Sequence, residues 1–515
     1  MSLTDDRQER RSRREGRRRD GGGHISQLQW KQPRRLFPPL EIVSADQLEA
    51  IHNASLTVLE DIGMEITLSQ ARDVFAMAGA KIEGERVRIG REIITEAIRS
   101  APSEFTLHAR NPEHSIRIGG DWIAFCPVGG PPNCADLDRG RRPGTLEDSC
   151  NFMRLAQFFN CIHFAGSGSV DALDVKPSIR HLIVAREKVR LSDKVGFVSS
   201  LGSSRVHDGM EISRLARNIS KEQFDREASC YTVVNTNSPL KLDSPMSNGI
   251  IQMAKRGQMV CVTPFTLAGA MAPVTIAGAL AQQNAEALAG VALAQLVRPG
   301  APVVYGGFTS NVDMKSGAPA FGTPEYMKAC IVGGQLARRY GLPYRTSGTN
   351  AANAVDAQAA YESVFSLWGA IMGGGNQIIH AAGWMEGGLV ASYEKYALDI
   401  DLLQMVEEFL KPLEVSEDAL AIDAMREVGP GGHFFGASHT LARYTDAFYA
   451  PLISDWRNFQ QWQSAGSPQA SQKANTLWKQ ALAEYAPPPL DPAIAEAVGA
   501  FIARRIEEGG ETADF

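Results

Sequence analysis

The fold is decided by a short apolar run that ends in small and polar residues, Pro302-Val303-Val304-Tyr305-Gly306-Gly307-Phe308-Thr309. Similar runs recur along the chain, among them Cys161-Ile162-His163-Phe164-Ala165-Gly166-Ser167, Tyr231-Thr232-Val233-Val234-Asn235-Thr236-Asn237 and Gln377-Ile378-Ile379-His380-Ala381-Ala382-Gly383-Trp384. Continuous apolar runs bounded by glycine and polar residues are typical of parallel strands that are buried on both faces. Their alternation with helices predicts a (β/α)8 barrel, in which the residues just after each strand line one active-site mouth.

The whole pattern predicts strands at 122–128, 161–167, 195–201, 230–236, 259–268, 302–309, 343–348 and 376–384. Helical stretches fit between them, at 146–159, 176–191, 208–218, 247–256, 273–297, 324–340, 356–372 and 390–409. Successive strands begin on the order of 30–45 residues apart, which accommodates one strand, one helix and two loops. A doubly wound open sheet is the main structural alternative. The number of units and the absence of a GxGxxG fingerprint after an early strand favour the α/β class with a TIM barrel.

The chain divides into four predicted segments. Residues 1–37 are expected to be a disordered basic tail, because the arginine-rich stretch 1–23 has dense charge and few apolar residues. An RNA-binding arm is the functional alternative for that stretch. Residues 38–118 are expected to form an N-terminal cap segment of mixed helices and strands, and 119–410 the barrel. Residues 411–515 are expected to form a C-terminal helical extension that wraps the barrel or makes an oligomer contact.

Composition limits the partners and the compartment. The chain has 515 residues, a net charge of −6 and a pI of about 6.0, so neither nucleic acid nor an anionic membrane is favoured as a partner. Polar residues interrupt the alanine-rich run 275–297, which indicates a buried or interface helix rather than a membrane span. The seven cysteines are odd in number and form no CxxC pair, which favours a cytoplasmic protein without disulfides.

No standard catalytic signature is present: GxSxG, HExxH, the P-loop and zinc cysteine pairs are all missing, and no metal site is predicted. His380 is the strongest candidate among ten histidines because it lies at the end of a predicted strand, where barrel enzymes place working residues. Glu386 is the one acid expected in the same mouth. Its alternative role is a charge at the N-terminus of the following helix.

Aromatic and amide side chains dominate the predicted mouth. Phe265, Phe308 and Trp384 lie near strand ends, together with Asn235 and Asn350. Each aromatic residue taken alone is typical of a core, but together they predict a cage for a cation. The scarcity of paired carboxylates argues against a glycosidase and against a magnesium-assisted lyase.

The segment that runs from Gly348-Thr349-Asn350-Ala351-Ala352-Asn353-Ala354-Val355-Asp356 to Glu362 resembles the trimethylamine methyltransferase superfamily of corrinoid-dependent methyltransferases. Further matches in the same order are Arg142-Pro143-Gly144-Thr145-Leu146, the stretch 317–325, Ile379 to Leu389, and His439-Thr440-Leu441. The resemblance covers nearly all of the chain from about residue 38 to 460. The resemblance depends on the order and spacing of these motifs together, since no single motif is specific.

The resemblance implies a (β/α)8 barrel that moves a methyl group from a methylamine to the Co(I) of a separate corrinoid protein. The chain itself would then bind no cofactor, and its partners would be the corrinoid protein and a small quaternary or tertiary amine. Founding members of the family carry pyrrolysine in the loop that matches 348–356. This chain has Thr349 at about that position, so it resembles the branch without pyrrolysine, which demethylates glycine betaine and related quaternary amines.

On this hypothesis His380 and Glu386 are the catalytic residues, with His380 holding a substrate carboxylate or orienting a neighbour. The substrate-binding residues are Trp384, Phe308, Phe265, Thr349, Asn350 and Asn235. Three alternatives stay open: a trimethylamine-type enzyme that lacks pyrrolysine, a small-ligand-binding barrel without turnover, and an unrelated barrel lyase or hydrolase. The alanine- and glycine-rich helix at 275–297 also suggests close packing, and we expect a homo-oligomer.

Overall fold

The computed structural model describes residues 24–166 and 170–511, so the tail predicted for residues 1–23 lies outside the described residues. Its central sheet has seven parallel strands, Ala124–Phe125, Gly196–Phe197, Cys230–Val234, Met259–Val262, Val303–Gly306, Tyr344–Ser347 and Gln377–Ile379. The first strand pairs with the last, and the others follow in reverse chain order down to Gly196–Phe197. Strand order in a doubly wound sheet reverses at a switch point, so the observed order contradicts that alternative.

Residues 163–165 link the two edge strands of the central sheet. The amide of His163 donates to the carbonyl oxygen of Phe125 (2.9 Å), and the amide of Ala165 donates to that of Val195 (2.9 Å). Phe164 forms one parallel bridge with Val195, so the strand predicted at 161–167 is reduced to a single bridge in its described part. The other seven predicted strands are present but shorter. The observed fold is therefore mixed α/β around a seven-stranded parallel sheet.

Two small sheets continue from the carboxyl ends of the central strands. One contains Phe265–Ala268, Phe308–Val312 and Pro319–Ala320, and the other contains Trp384–Met385, Val390–Ser392, Asn133–Asp136 and Gly140–Pro143. The predicted strands 259–268 and 302–309 are each split between the central sheet and the first small sheet. Gly306 marks one split, because a Cβ there would lie 1.9 Å from the Thr263 hydroxyl oxygen.

Helices connect the central strands, with bounds Leu146–Phe158, Pro177–Leu191, Ser203–Ala216, Ser244–Lys255, Ile276–Val297, Pro324–Tyr340, Ala357–Gly373 and Tyr393–Phe409, and a short Lys221–Phe224. Six of them begin at a Thr, Asp or Ser whose side chain accepts a hydrogen bond from a backbone amide, namely Thr145, Ser220, Asp243, Thr323, Asp356 and Ser392. Helix Ile276–Val297 is buried along most of its length, as its sequence predicts, because N-terminal helices pack against it.

The N-terminal segment is a mixture of helices and short strands. Its helices are Ala45–Thr57, Ser69–Met77 and Arg91–Arg99, with a π-helical turn Val58–Ile62 and a 3-10 turn Pro112–His114. Its strands are Met64–Ile66, Lys81–Glu83, Arg86–Arg88, Glu104–Leu107 and Ile116–Gly119. Met64–Ile66 pairs in parallel with Lys241–Leu242, a short strand that follows the central strand Cys230–Val234. The segment therefore shares a sheet and a core with the central fold.

The predicted tail boundary at residue 37 is wrong for residues 24–37, which pack on the fold. The Gln32 side-chain amide donates to the carbonyl oxygen of Arg117 (2.6 Å), and the amide of Ile123 donates to that of Pro33 (3.0 Å). Trp30 packs against a core cluster that includes Tyr231 and Cys261 of the central strands, and its ring centroid lies 5.9 Å from that of His163. These apolar and hydrogen-bonding side chains stabilise an extended segment that contains no regular helix.

The C-terminal extension has two parts. Helices Ala470–Glu484 and Pro492–Glu507 pack on the helices of the central fold. Between residues 411 and 465 lie only short helices, Glu417–Leu420, Ile422–Val428, Ser438–Arg443 and Phe459–Ser464, with a 3-10 turn Phe434–Gly436. Many large apolar side chains of this part are exposed. Among the described residues, no helix combines the length and the apolar character that a membrane crossing requires.

Candidate active site

His380 immediately follows the central strand Gln377–Ile379, at the end where the two small sheets begin. Its backbone has φ +58°, a left-handed conformation that is uncommon outside glycine, and its side chain is 8% exposed. Nδ1 lies 3.2 Å from the hydroxyl oxygen of Ser347 on the neighbouring strand. Burial lowers the pKa of His380 well below its usual value, and the positive charge of Arg345 lowers it further. The imidazole is therefore neutral at ordinary pH.

Aromatic rings surround His380, and we call Phe265, Phe308, Phe321 and Trp384 the aromatic cluster. The Trp384 ring centroid lies 3.9 Å from that of His380, and the Phe308 centroid lies 5.6 Å from it. Phe308 also contacts the remaining rings, with centroid distances of 5.0 Å to Phe265, 5.5 Å to Phe321 and 6.1 Å to Trp384. Among the predicted residues, the structure thus brings Phe265, Phe308, His380 and Trp384 together. Phe321 was not predicted.

Asn350 ties the loop after strand Tyr344–Ser347 to the loop that carries Trp384. Its side-chain amide donates to the carbonyl oxygen of Trp384 (2.9 Å) and to the hydroxyl of Ser363 (3.2 Å). Its own side-chain oxygen is buried and has no hydrogen-bond partner among the described residues. The backbone of the same two loops is joined where the amide of Glu386 donates to the carbonyl oxygen of Ala352 (3.1 Å). Asn350 therefore positions Trp384.

A buried ion pair lies behind this contact. The ammonium of Lys395 pairs with Asp399 and donates to the hydroxyl of Ser363 (2.7 Å), and Asp399 accepts from the backbone amide of Gly383 (2.9 Å). Burial raises the pKa of Asp399, and the charge of Lys395 opposes that rise. Sequence reasoning missed this pair, although two opposite charges four residues apart on the otherwise buried helix Tyr393–Phe409 are a usable signal.

Thr349 is completely buried at the start of the same loop. Its backbone carbonyl accepts a hydrogen bond from the Ser366 hydroxyl (2.6 Å). Glu362 then holds the next residues of the loop, because its carboxylate accepts from the amides of Ala351 (2.8 Å) and Ala352 (3.0 Å). The loop is thus fixed from the side of helix Ala357–Gly373.

Glu386 lies on the rim, in the turn Glu386–Gly388. Its carboxylate accepts from Arg141 Nε (3.0 Å), which comes from the hairpin of Asn133–Asp136 and Gly140–Pro143. The ion pair joins two loops that are 245 positions apart. The structure therefore shows the Glu386 carboxylate as the ion-pair partner of Arg141.

Asn235 follows the central strand Cys230–Val234, and its side-chain amide donates to the backbone carbonyl of Thr263 (2.7 Å). The adjoining loop is held by Glu286 of helix Ile276–Val297, which accepts from the Ser238 hydroxyl (2.6 Å) and the Leu240 amide (2.9 Å). Asn235 thus contacts the backbone of Thr263, which lies two positions before Phe265 in the chain.

Arg345 is the most unusual residue that sequence reasoning missed. It lies in the central strand Tyr344–Ser347 and is 2% exposed, with its guanidinium carbon 4.9 Å from the centroid of the Phe308 ring. Burial lowers its pKa, although an arginine side chain remains charged in proteins. The available signal was an arginine between residues that read as a buried strand, Pro343-Tyr344-Arg345-Thr346-Ser347.

Within residues 24–166 and 170–511, no group of three or more His, Cys, Asp or Glu side chains could hold a metal ion. The seven cysteines are all free thiols and all buried. The site is therefore built from neutral aromatic rings, a neutral histidine, amides and one buried arginine.

The chain matches the family model described as Trimethylamine methyltransferase (MTTB) over residues 7–510, and it belongs to this family of methyltransferases. A glycine betaine methyltransferase from Desulfitobacterium hafniense (strain Y51) is 38% identical over 478 residues, which cover 93% of this chain and 99% of that protein. Trimethylamine methyltransferase MttB from Desulfitobacterium hafniense (strain DSM 10664 / DCB-2) is 28% identical over 471 residues, with coverage of 91% and 94%.

Among solved structures, the monomethylamine methyltransferase MtmB of Methanosarcina barkeri aligns with 86% of this chain and 93% of its own. The sequence identity is 10% and the TM-score is 0.46. The assignment to the family rests on the sequence matches, and it makes this protein a methyltransferase.

Proposed function

We propose that this protein transfers one methyl group from a quaternary amine, such as glycine betaine, to a corrinoid protein. The observation that carries the proposal is the aromatic cluster at the carboxyl ends of the central strands, where Phe308 contacts Phe265, Phe321 and Trp384. Aromatic faces attract a quaternary ammonium through their quadrupoles. The relative named glycine betaine methyltransferase, at 38% identity, supports the same substrate class.

The proposed reaction needs no acidic or basic side chain to activate the leaving amine. When the bond between nitrogen and the methyl carbon breaks, both electrons stay on nitrogen, and a neutral tertiary amine leaves. The Co(I) of the partner supplies the nucleophile that takes the methyl group. This chain has to bind the cation, point one methyl group outward and exclude water. Thr349 offers no group that would activate a tertiary amine, which supports a quaternary substrate.

The proposed roles follow from the positions of the residues. Trp384, Phe308 and Phe265 contact the ammonium, and the neutral His380 orients the Trp384 ring against which it packs. Asn350 and Asn235 supply hydrogen bonds at the strand ends. Glu386 acts through Arg141 by holding the rim of the site in place.

The proposed fold is a closed barrel. We infer that residues 162–166 complete a closed (β/α)8 barrel, because their backbone hydrogen bonds reach both edges of the central sheet. The corrinoid protein would cover the mouth that contains His380, since its cobalt has to approach the substrate methyl group.

The buried free thiols support a cytoplasmic location. The exposed apolar residues of 411–465 support a homo-oligomer.

The test is an anaerobic assay with cob(I)alamin as the methyl acceptor, followed by the absorbance change that accompanies formation of methylcobalamin. We expect methyl transfer from glycine betaine and none from trimethylamine. Transfer from trimethylamine alone would instead favour the alternative of a trimethylamine-type enzyme without pyrrolysine. No transfer from any methylated amine, with a folded protein, would contradict the proposed reaction.

A further inference from the structure

Arg345 points to the inside of the central sheet. Its neighbours in the strand point the other way, because the Tyr344 hydroxyl donates to the Cys330 carbonyl oxygen (2.9 Å) and the Thr346 hydroxyl lies 3.1 Å from the Cys330 sulfur. Side chains alternate between the two faces of a strand, so Arg345 and Ser347 face the interior. Ser347 contacts His380, and Arg345 lies against the Phe308 ring. The guanidinium is therefore adjacent to the aromatic cluster.

The positive charge of Arg345 has no partner among the described residues. No Asp or Glu carboxylate in 24–166 or 170–511 forms an ion pair with it, and neither Nε nor Nη1 has a hydrogen-bond partner. The groups that act on it electrostatically are the thiols of Cys126 and Cys261 and the phenols of Tyr326 and Tyr344. A buried charge is unfavourable unless it is paired, so an unpaired guanidinium at a binding site indicates an anionic ligand.

Arg35 shows the usual arrangement in the same molecule. It is also buried, but its guanidinium pairs with Asp121 at 2.9 Å. This pair lies just before the central strand Ala124–Phe125, where the amide of Arg35 also donates to the carbonyl oxygen of Asp121 (2.9 Å). Among the described residues, therefore, Arg35 has a carboxylate partner and Arg345 has none.

We propose that Arg345 binds the carboxylate of the substrate and so restricts the enzyme to quaternary amines that carry a carboxylate. The inference rests on the proposed function and names the substrate class of the same site. A guanidinium offers parallel N–H donors that match the two oxygens of a carboxylate. With the carboxylate on Arg345, an ammonium one carbon away lies beside Phe308 and the aromatic cluster. Quaternary amines without a carboxylate would leave the guanidinium unpaired.

The experiment compares glycine betaine with tetramethylammonium, which has the cation but no carboxylate, using cob(I)alamin as acceptor. For wild type, kcat/KM is expected to be higher for glycine betaine by about 100-fold or more. In Arg345→Gln we expect kcat/KM for glycine betaine to fall by about 100-fold, mostly through KM, while the value for tetramethylammonium changes little. Arg345→Lys keeps the charge but lacks the two parallel N–H donors, and its kcat/KM for glycine betaine should lie between those of wild type and Arg345→Gln.

Arg35→Gln is the matched control for loss of a buried arginine. It removes a buried guanidinium that pairs with the half-exposed Asp121, and it should leave the ratio of the two kcat/KM values unchanged. Arg345→Gln should not lower the Tm of the free protein, and it should abolish the rise in Tm that glycine betaine causes in wild type.

The outcomes separate the two proposals. If wild type transfers methyl groups equally well from both cations, and Arg345→Gln affects neither, the methyltransferase proposal stands and the role of Arg345 is wrong. An equal fall for both substrates in Arg345→Gln would also overturn it, since that pattern belongs to a structural role. If wild type methylates cob(I)alamin with neither cation, and glycine betaine raises the Tm of wild type and of Arg345→Gln alike, both proposals fail.

Discussion

His380 combines an unusual backbone conformation with close aromatic packing. It is a non-glycine residue in the left-handed region, with φ +58°, and its ring is packed against Trp384 and Phe308. Such a backbone conformation costs on the order of 1–3 kcal/mol, and it persists where the surrounding packing holds it. The loop hydrogen bonds from Asn350 and Asp399 provide that support on the side of Trp384.

The protonation state of His380 gives a prediction for pH dependence. Because burial and the charge of Arg345 hold its pKa well below the usual value, the ring stays neutral from about pH 6 to 8. We therefore expect no inflection from His380 in kcat/KM for glycine betaine over this range, and the same flat profile in His380→Asn. Asn is the suitable replacement because it tolerates the left-handed backbone. An inflection near pH 6.5 in wild type that is missing in His380→Asn would contradict the assignment.

Trp384 gives a prediction for affinity. Its removal takes away one face of the proposed cation site, and a desolvated contact of this kind contributes about 1–2 kcal/mol. Trp384→Ala is expected to raise the Kd for glycine betaine by about 10-fold or more, and Trp384→Phe by less. Isothermal titration calorimetry of each variant measures this. Tyr361→Ala is the control, since Tyr361 is exposed on helix Ala357–Gly373; an equal loss there, or none in Trp384→Ala, would refute the role.

At the scale of elements, helix Tyr393–Phe409 supports the site through charges rather than apolar contacts alone. Lys395 and Asp399 lie four residues apart on its buried side, and they reach Ser363 and the amide of Gly383. Ser363 in turn accepts from Asn350, so one helix positions both the loop that carries Asn350 and the loop that carries Trp384. This explains how a site made mostly of neutral groups depends on an ion pair that does not touch it.

Breaking that ion pair should be costly for stability. Lys395→Met leaves the buried Asp399 without its cationic partner, and we expect the free energy of unfolding to fall by about 3–5 kcal/mol. The double variant Lys395→Met with Asp399→Leu should lose less, because no charge is left buried. Denaturant titrations measure both. Lys411→Met is the control: its pair with Glu408 is on the surface (2.5 Å), and we expect a change below about 1 kcal/mol. Equal losses in the single and double variants would contradict the argument.

For the whole molecule, the least expected property is the surface of residues 411–465. Phe435 is 87% exposed and Phe448 is 88% exposed, and Leu413, Val415, Trp456 and Phe459 are exposed in the same segment. The helices Ala470–Glu484 and Pro492–Glu507 that follow are packed on the central fold. An apolar surface of this kind marks an interaction site, in agreement with the proposed homo-oligomer.

Replacing Phe435 and Phe448 together by Asp should therefore disrupt assembly. We expect size-exclusion chromatography with light scattering to show an oligomer for wild type and a smaller species for the double variant, because buried carboxylates without partners are unfavourable in an interface. Met77→Asp alters another exposed apolar side chain, on helix Ser69–Met77, and should leave the mass unchanged. A monomeric wild type would show that a second copy of the chain does not cover this surface.

The strand positions and the family could be read from the sequence because both depend on local patterns. A buried parallel strand needs a continuous apolar run, and a helix after it needs a capping residue, so both leave a signal within a few neighbouring residues. The clustering of four residues could be predicted in the same way, because all of them follow strands of one parallel sheet: Phe265, Phe308, His380 and Trp384. The tail boundary at 37 failed because Trp30 and Gln32 contact residues far away in the chain.

The amino-acid sequence by itself determined the order of strands and helices, the membership of a methyltransferase family and the aromatic residues that follow the central strands. Only the tertiary structure decided that Glu386 pairs with Arg141, that Lys395 and Asp399 support the loop of Trp384, and that Arg345 is buried with no carboxylate partner in the described part of the chain. The physical reason is that pairing is a relation between side chains that the fold brings together. A charged residue that is paired in the fold and one that is unpaired look the same in a sequence. They differ only in which groups the fold places within hydrogen-bonding distance.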